Sequence, residues 1–407
     1  MTFKPTAMKA ALAAAAMLFA GTASAQYSDG VIKIGVMNDM SGLYSDITGP
    51  GSVWAARKAV EDFGAAAKGM KVEILAADHQ NKPDIGSNIA RQWIDVDKVD
   101  AIADVPTSSV GLAVNQIIRE KNKVHLNSGS ATSDMTGKAC SPNTVHWAYD
   151  TYMLSNGTGK ALVKTGGDTW YFLTADYAFG HALERDTEAV VLANGGKVLG
   201  KVRTPFPGQD FSSFLLQAQA SKAKVIGLAN AGGDTINSIK QAAEFGITKG
   251  GQNLAGLLVF VTDVHSLGLP TAQGLVLTES FYWDLNDGTR AWSREFAAAH
   301  KGRMPSMVQA GVYASVIHYL KALEALKSDA DGVKVVDKMK EMPTDDKLFG
   351  KGTIRVDGRK IHEAFLFEVK KPAESKGPWD YYKLRATIPA AEAFRPLAQS
   401  ECSLVKK

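Results

Sequence analysis

From Val31 onward, short apolar β-rich runs alternate with amphipathic helical segments. The runs "VIKIGVM", "KVEILAAD", "DAIADV" and "KVHLNSG" are separated by "SVWAARKAVEDFG", "DIGSNIARQWIDVD" and "SVGLAVNQIIREK". In the last of these, Val110, Ala113, Val114, Ile117 and Ile118 recur at helical spacing and define one buried face. Strand, helix and strand joined by short connections predict right-handed crossovers and a parallel sheet.

The alternation restarts after "GKALVKTGGD", with strands expected in "TWYFLTAD", "KVLGKVRTPF", "KVIGLANAG" and "GLLVFVTD". Helices are expected between them in "HALERDTEAVVLANG", "FSSFLLQAQASKA" and "DTINSIKQAAEFG". The two halves share no residue-level repeat, yet their element order is the same. The pattern therefore predicts an α/β protein of two doubly wound lobes. The remainder holds a strand-like "GLVLTESFYWD", two strong helices in "TRAWSREFAAAHKG" and "MVQAGVYASVIHYLKALEALKS", and a hairpin turning at Asp357-Gly358. A tail of this kind recrosses between lobes and completes each one, which makes a multi-crossover hinge.

Composition adds the compartment. The 407 residues, 45% hydrophobic and 22% charged, suffice for two domains. The first 25 residues read as a cleavable export signal: Lys4 and Lys9, an apolar run from Ala10 to Ala20, and a small-x-small "ASA" ending at Ala25. A membrane anchor needs about 20 apolar residues, more than this run supplies. Without the leader's two lysines, 44 basic residues face 42 acidic ones, which gives no reason to expect nucleic acid or an anionic membrane as partner. Two cysteines remain, Cys140 and Cys402, and in an oxidising compartment they are expected to form one disulfide; two unrelated buried thiols are the alternative.

The catalytic motifs are missing: there is no G-x-S-x-G elbow, phosphate loop, G-x-G-x-x-G fingerprint or H-E-x-x-H zinc motif. The eight histidines, among them His79, His125, His181 and His265, show no metal-ligand spacing. No metal, cofactor or catalysis is therefore expected. What the chain offers is a set of strand ends rich in small polar residues: "NDMSGLYSD", "DVPTSS", "NSGSATSD", "TADYAFG", "NAGGDT" and "VTDVHS". In open α/β sheets ligands bind outside the carboxyl ends of strands, where helix N-termini favour a carboxylate. Each Ser, Thr or Asp there is commonly just a helix cap, and Gly232-Gly233 a tight turn. Tyr44, Tyr177 and Phe179, however, sit in otherwise small polar loops where a core role is harder to supply.

"IKIGVMNDMSGLYSDITGPGSVWAARKAVEDFG", "SSVGLAVNQII", "NSGSATSDMT", "DYAFGHAL" and "NAGGDTINSIKQAAEFGI" resemble the periplasmic solute-binding proteins of branched-chain amino-acid-type ABC transporters. This is the type I group typified by the leucine/isoleucine/valine-binding protein, and the likeness runs from about Val31 to Ala398. The resemblance implies two Rossmann-like lobes: residues 26–148 with 280–345, and residues 149–279 with 346–396, followed by a tail 397–407 that carries Cys402 back towards Cys140. It implies that Thr107 or Ser108, with Ser130 and Thr132, holds a ligand carboxylate, and that Tyr177 or Phe179 packs on the ligand. Asn230 belongs to the same cleft, and Asp234 or Asp263 would pair a ligand ammonium. Were neither to face the cleft, the ligand would be a carboxylate without an amino group, walled by Tyr44, Tyr177, Phe179 and the run from Phe281 to Trp283.

The expected role is thus an exported, monomeric binding protein that delivers a small carboxylate to permease subunits in the inner membrane. A ligand sensor that presents its closed form to a receptor, or an α/β hydrolase, are the rivals.

Overall fold

The computed structural model describes residues 27–406; the expected export signal falls outside them. The first sheet holds β1 (Ile32–Asn38), β2 (Val72–Asp78), β3 (Ala101–Asp104), β4 (Val124–Asn127) and β5 (Thr144–His146). All pair in parallel in the order β2-β1-β3-β4-β5, with Ile34 opposite Ile74 on one side and Ala101 on the other. Helices on both faces bury the central strands, so these read as nearly continuous apolar runs. The helices α1 (Gly49–Phe63), α2 (Pro83–Asp95) and α3 (Ser108–Glu120) follow the first three strands. The predicted face of α3 packs Val110, Val114, Ile117 and Ile118 with Trp93 of α2 and Met37 of β1, while Ala113 stays half-buried at its margin.

The second lobe repeats the plan with β6 (Thr169–Ala175), β7 (Lys197–Thr204), β8 (Val225–Ala229) and β9 (Asn253–Gly256) in the parallel order β7-β6-β8-β9. The run "GLLVFVTD", read above as a strand, departs from this expectation. Pairing stops at Gly256, and Phe260 already caps a helix over Val261–Leu267. Likewise only Val276–Glu279 of "GLVLTESFYWD" forms a strand, β10.

The predicted hairpin is divided between the lobes. β11 (Thr344–Asp346), β12 (Gly350–Ile354) and β13 (Lys360–Ile361) form a small antiparallel sheet, joined to the first lobe by the bridge between Arg359 and His146. β14 (Ala364–Val369) then pairs with β10 and with β15 (Tyr382–Ile388) in the second lobe. After Ile361 the chain first pairs with a strand of the second lobe, β14 with β10. The buried Arg359 holds the chain just before this point, donating to the Trp147 carbonyl at 2.7 Å and the Tyr149 carbonyl at 2.9 Å. One side chain thus ties the third crossing to the first.

The long helix Met307–Leu326 packs on α1 and belongs to the first lobe. Its N-cap Ser306 accepts from Val308 and Gln309 N–H groups, each at 3.2 Å, and donates to the Ile47 carbonyl at 2.6 Å. That contact sets both Ile47 and Val308 at the cleft. Cys140 and Cys402 are disulfide-bonded, as expected, so the C-terminal tail is a further link back to the first lobe. Among the described residues no helix is long and apolar enough to cross a membrane.

Candidate functional site

The strand ends of the two lobes face one another across a narrow cavity with about 20 Å³ of free space, well below the range for small-ligand sites. The first lobe contributes Tyr44, Ile47, Pro106, Ala131 and Val308. The second contributes Tyr177, Phe179, Ala231, Leu258 and Phe260, and Tyr149 reaches in from the first crossing. The lining contains no charged side chain, and its polar side-chain atoms are three phenol oxygens.

Local chemistry holds these walls in place. The Asp39 carboxylate accepts from the N–H groups of Gly42 and Tyr44 at 2.6 and 2.9 Å and from Asn81 Nδ2 at 2.7 Å, which folds the loop that presents Tyr44. At the end of β3, Asp104 and Val105 both take positive φ, 78° and 54°. Two such residues without a glycine store strain that neighbours must offset. Here Val105 donates to the Met37 carbonyl at 2.9 Å and accepts from Ser130 Oγ at 2.5 Å. The turn aims Pro106 into the cavity at the foot of α3.

The lobes meet directly around the cavity. Tyr44 and Tyr177 share a hydrogen bond of 2.5 Å between their hydroxyls, and Phe206 stacks on Tyr177 at 3.8 Å between ring centres. Gly233 N–H donates to the Leu43 carbonyl at 3.4 Å. Farther back, Ser133 donates to Asp186 at 2.7 Å and Arg185 pairs with Asp134 at 3.0 Å. Burial holds the phenols of Tyr44 and Tyr177 above the ordinary range, so both stay protonated.

The sequence candidates divide into two sets. Tyr44, Tyr177 and Phe179 come together at the cavity. The hydroxyls do not line it: each is buried with a protein partner. Thr107 stands at the N-cap of α3, but its hydroxyl donates to Asn81 Oδ1 rather than capping the helix. Ser108 Oγ accepts from Thr132 N–H at 3.2 Å, and Thr132 Oγ1 accepts from Asp134 N–H at 3.3 Å as the cap of a short turn. Their neighbours Pro106 and Ala131 line the cavity instead. Asn230 is used internally, accepting from Thr235 at 2.7 Å and donating to Ser238 at 3.0 Å.

Neither candidate acid faces the cavity. Asp263 accepts from Phe260 N–H at 2.9 Å as a helix-capping residue. Asp234 accepts from Gly208 N–H at 3.0 Å and borders an outer hollow with Leu43 and Phe206. Burial pushes both carboxyls up to about 7. The expected aromatic walls at Phe281 and Trp283 are also placed elsewhere. Phe281 meets Trp292 edge to face in the core, and Trp283 Nε1 donates to the Trp379 carbonyl at 2.8 Å. Leu258, Phe260, Tyr149, Ile47 and Val308 went unrecognised in the sequence; the only signal for the first two was an apolar run longer than its strand.

Gly232 tests the contact between lobes. Its φ is 56°, and a Cβ there would lie 2.6 Å from the Leu43 carbonyl oxygen. Gly232→Ala is expected to hold the lobes apart, visible as a larger radius of gyration by small-angle scattering with far-UV circular dichroism unchanged. An unchanged radius would mean that this contact does not set the lobe separation.

Comparison with known proteins agrees with this architecture. The periplasmic binding protein model matches residues 31–377. A solved periplasmic binding protein from Burkholderia mallei is 53% identical with a TM-score of 0.90, covering 93% of this chain and 100% of that one. A branched chain amino acid ABC transporter periplasmic ligand-binding protein from Burkholderia xenovorans LB400 is 39% identical, with a TM-score of 0.82 over 92% and 100%. Leu/Ile/Val-binding protein homolog 6 of Brucella melitensis is 25% identical over 89% of this chain and 94% of its own length. An ABC transporter solute binding protein from R. palustris, solved in complex with benzoate, shares the fold at 20% identity and a TM-score of 0.78, over 88% of this chain and 97% of that one.

Proposed function

The chain belongs to the periplasmic binding protein family, and from that premise we propose that it captures a small aromatic carboxylate without an amino group and hands it to the permease of an ABC uptake system. The supporting observation is the cavity itself: apolar, walled by five aromatic rings, bounded by both lobes and free of acidic side chains. An amino acid would place its ammonium in this enclosure with no counter-charge, at a cost of several kcal/mol. A carboxylate is served by N–H groups, and the cavity borders the start of α3 at Pro106, where first-turn N–H groups lack helical partners and the helix dipole is positive. The benzoate complex of the R. palustris neighbour supports the capacity of the fold for such a ring.

Binding on this reading is a hinge closure in which the ligand favours the closed form by touching both lobes at once. One chain carries both walls, so a monomer suffices. Export by the leader to the periplasm is part of the same proposal.

A thermal-shift screen against aliphatic amino acids, aromatic and keto acids lacking an amino group, and small amides tests the reading. A ligand at 100 times its dissociation constant stabilises by about 2.7 kcal/mol, a shift of a few degrees for a chain of this size. Shifts are expected with the second panel; shifts confined to the amino acids would overturn the proposed ligand class.

A further inference from the structure

We propose that the Tyr44–Tyr177 pair reads a hydroxyl or carbonyl substituent of the ligand, at one end of the cavity and one strand spacing from the α3 start proposed for the carboxylate. The inference rests on the proposed binding of an aromatic carboxylate and goes on to name its second polar group.

Strand order gives the cavity a direction. Tyr44 follows β1 and Ala131 follows β4, and the order β2-β1-β3-β4-β5 puts two strand spacings, about 10 Å, between them. The second lobe matches this step for step: Tyr177 follows β6, Phe260 follows β9, and the order β7-β6-β8-β9 again separates them by two spacings. The hydroxyl pair therefore closes one end. Ala131, Phe260 and the Tyr149 ring, edge to face on Phe260 at 6.2 Å, form the other. Pro106 after β3 and Ala231 after β8 face the middle, next to the α3 start proposed for the carboxylate.

The two ends differ in the polar atoms they offer. Tyr149 already donates to the Gly129 carbonyl at 3.0 Å. The Tyr44 and Tyr177 hydroxyls, among the described residues, bond only to each other. Two hydroxyls that share one hydrogen bond retain one O–H and several acceptor lone pairs. In a buried apolar box that unused capacity is the feature able to distinguish one ring substituent from another, because a site built around a hydrogen bond rejects the analogue that lacks it. The position is fixed in advance: Phe206 stacks on Tyr177 within 16° of parallel and on Tyr44 at 6.1 Å. Because the hydroxyls come from opposite lobes, a substituent that bonds both also favours closure.

Titration calorimetry with benzoate and 4-hydroxybenzoate tests this on the wild-type protein and on Tyr44→Phe and Tyr177→Phe, whose melting temperatures report folding. The wild type is expected to bind 4-hydroxybenzoate about tenfold more tightly than benzoate. Each variant is expected to reduce that ratio to about twofold or less, with the loss falling on 4-hydroxybenzoate more than on benzoate. A wild-type ratio near one, or a ratio that survives both substitutions, overturns the reader while leaving the carboxylate site standing. Binding of neither compound overturns both.

Discussion

Replacing Cys140 and Cys402 together with serine is expected to lower the stability of the protein by about 5–6 kcal/mol, the scale the chain-entropy model gives for a very long closed loop. The bridge spans a sequence separation of 262 and joins the tail to the first lobe. In the unfolded chain it removes the freedom of almost the whole second lobe and of the segments that recross the hinge. Both sulfurs are buried, so serine also leaves two hydroxyls in apolar surroundings. Denaturant midpoints of the wild type and the double variant measure the effect, and adding reductant should shift the first towards the second. Coincident midpoints would mean that the bridge does not constrain the unfolded state.

Asp104→Asn is expected to stabilise the protein at alkaline pH and not at acid pH. The Asp104 side chain is fully buried, and Asn38 Nδ2 donates to it at 3.1 Å. Burial pushes its carboxyl from 3.8 up to about 7. Between those values the native state holds a proton that the unfolded state has released, so stability falls as pH rises through the interval and levels off above it. The interval corresponds to roughly 4 kcal/mol. Asparagine keeps the shape without the ionisation. Buried histidines titrate in the opposite sense: His79 is pushed down to about 4 and His125 to about 3, so they cost stability as pH falls below their ordinary 6.5. They are common to both proteins and cancel in the comparison. Denaturant unfolding at pH 5 and pH 8 should show the stability difference between variant and wild type growing with pH. A difference independent of pH would place the Asp104 titration at its ordinary value.

The fold was legible wherever the apolar period served one purpose. β1, β3 and the apolar face of α3 were readable because burial between helix layers alone set their pattern. Reading failed where a single stretch had two tasks. "GLLVFVTD" looks like one strand because its apolar residues continue past Gly256, but Leu258 and Phe260 are apolar to wall the cavity, not to pair. The hairpin at Asp357-Gly358 was identified, while its division between lobes was hidden: alternation does not reveal that Arg359 binds the carbonyls of residues more than 200 positions away.

The candidate aromatics line the cavity, while the candidate hydroxyls are engaged with protein partners beside it. Tyr44 and Tyr177 stood out as large rings in small polar loops, and both line the cavity. Thr107, Ser108, Ser130 and Thr132 carry the right chemistry at the right strand ends. Strained turns at those ends use their hydroxyls first, as Ser130 does at the Val105 carbonyl. Which residues look inward depends on the φ values of Asp104 and Val105, which residue identity does not announce.

The most direct test is titration calorimetry of the protein without residues 1–25 with benzoate and, separately, with leucine. Saturable binding of one benzoate per chain and no heat from leucine are expected, because the cavity between the lobes has no partner for an ammonium. Saturable binding of leucine with none of benzoate would contradict this expectation and would require an acid, Asp234 or Asp263, to turn into the cavity.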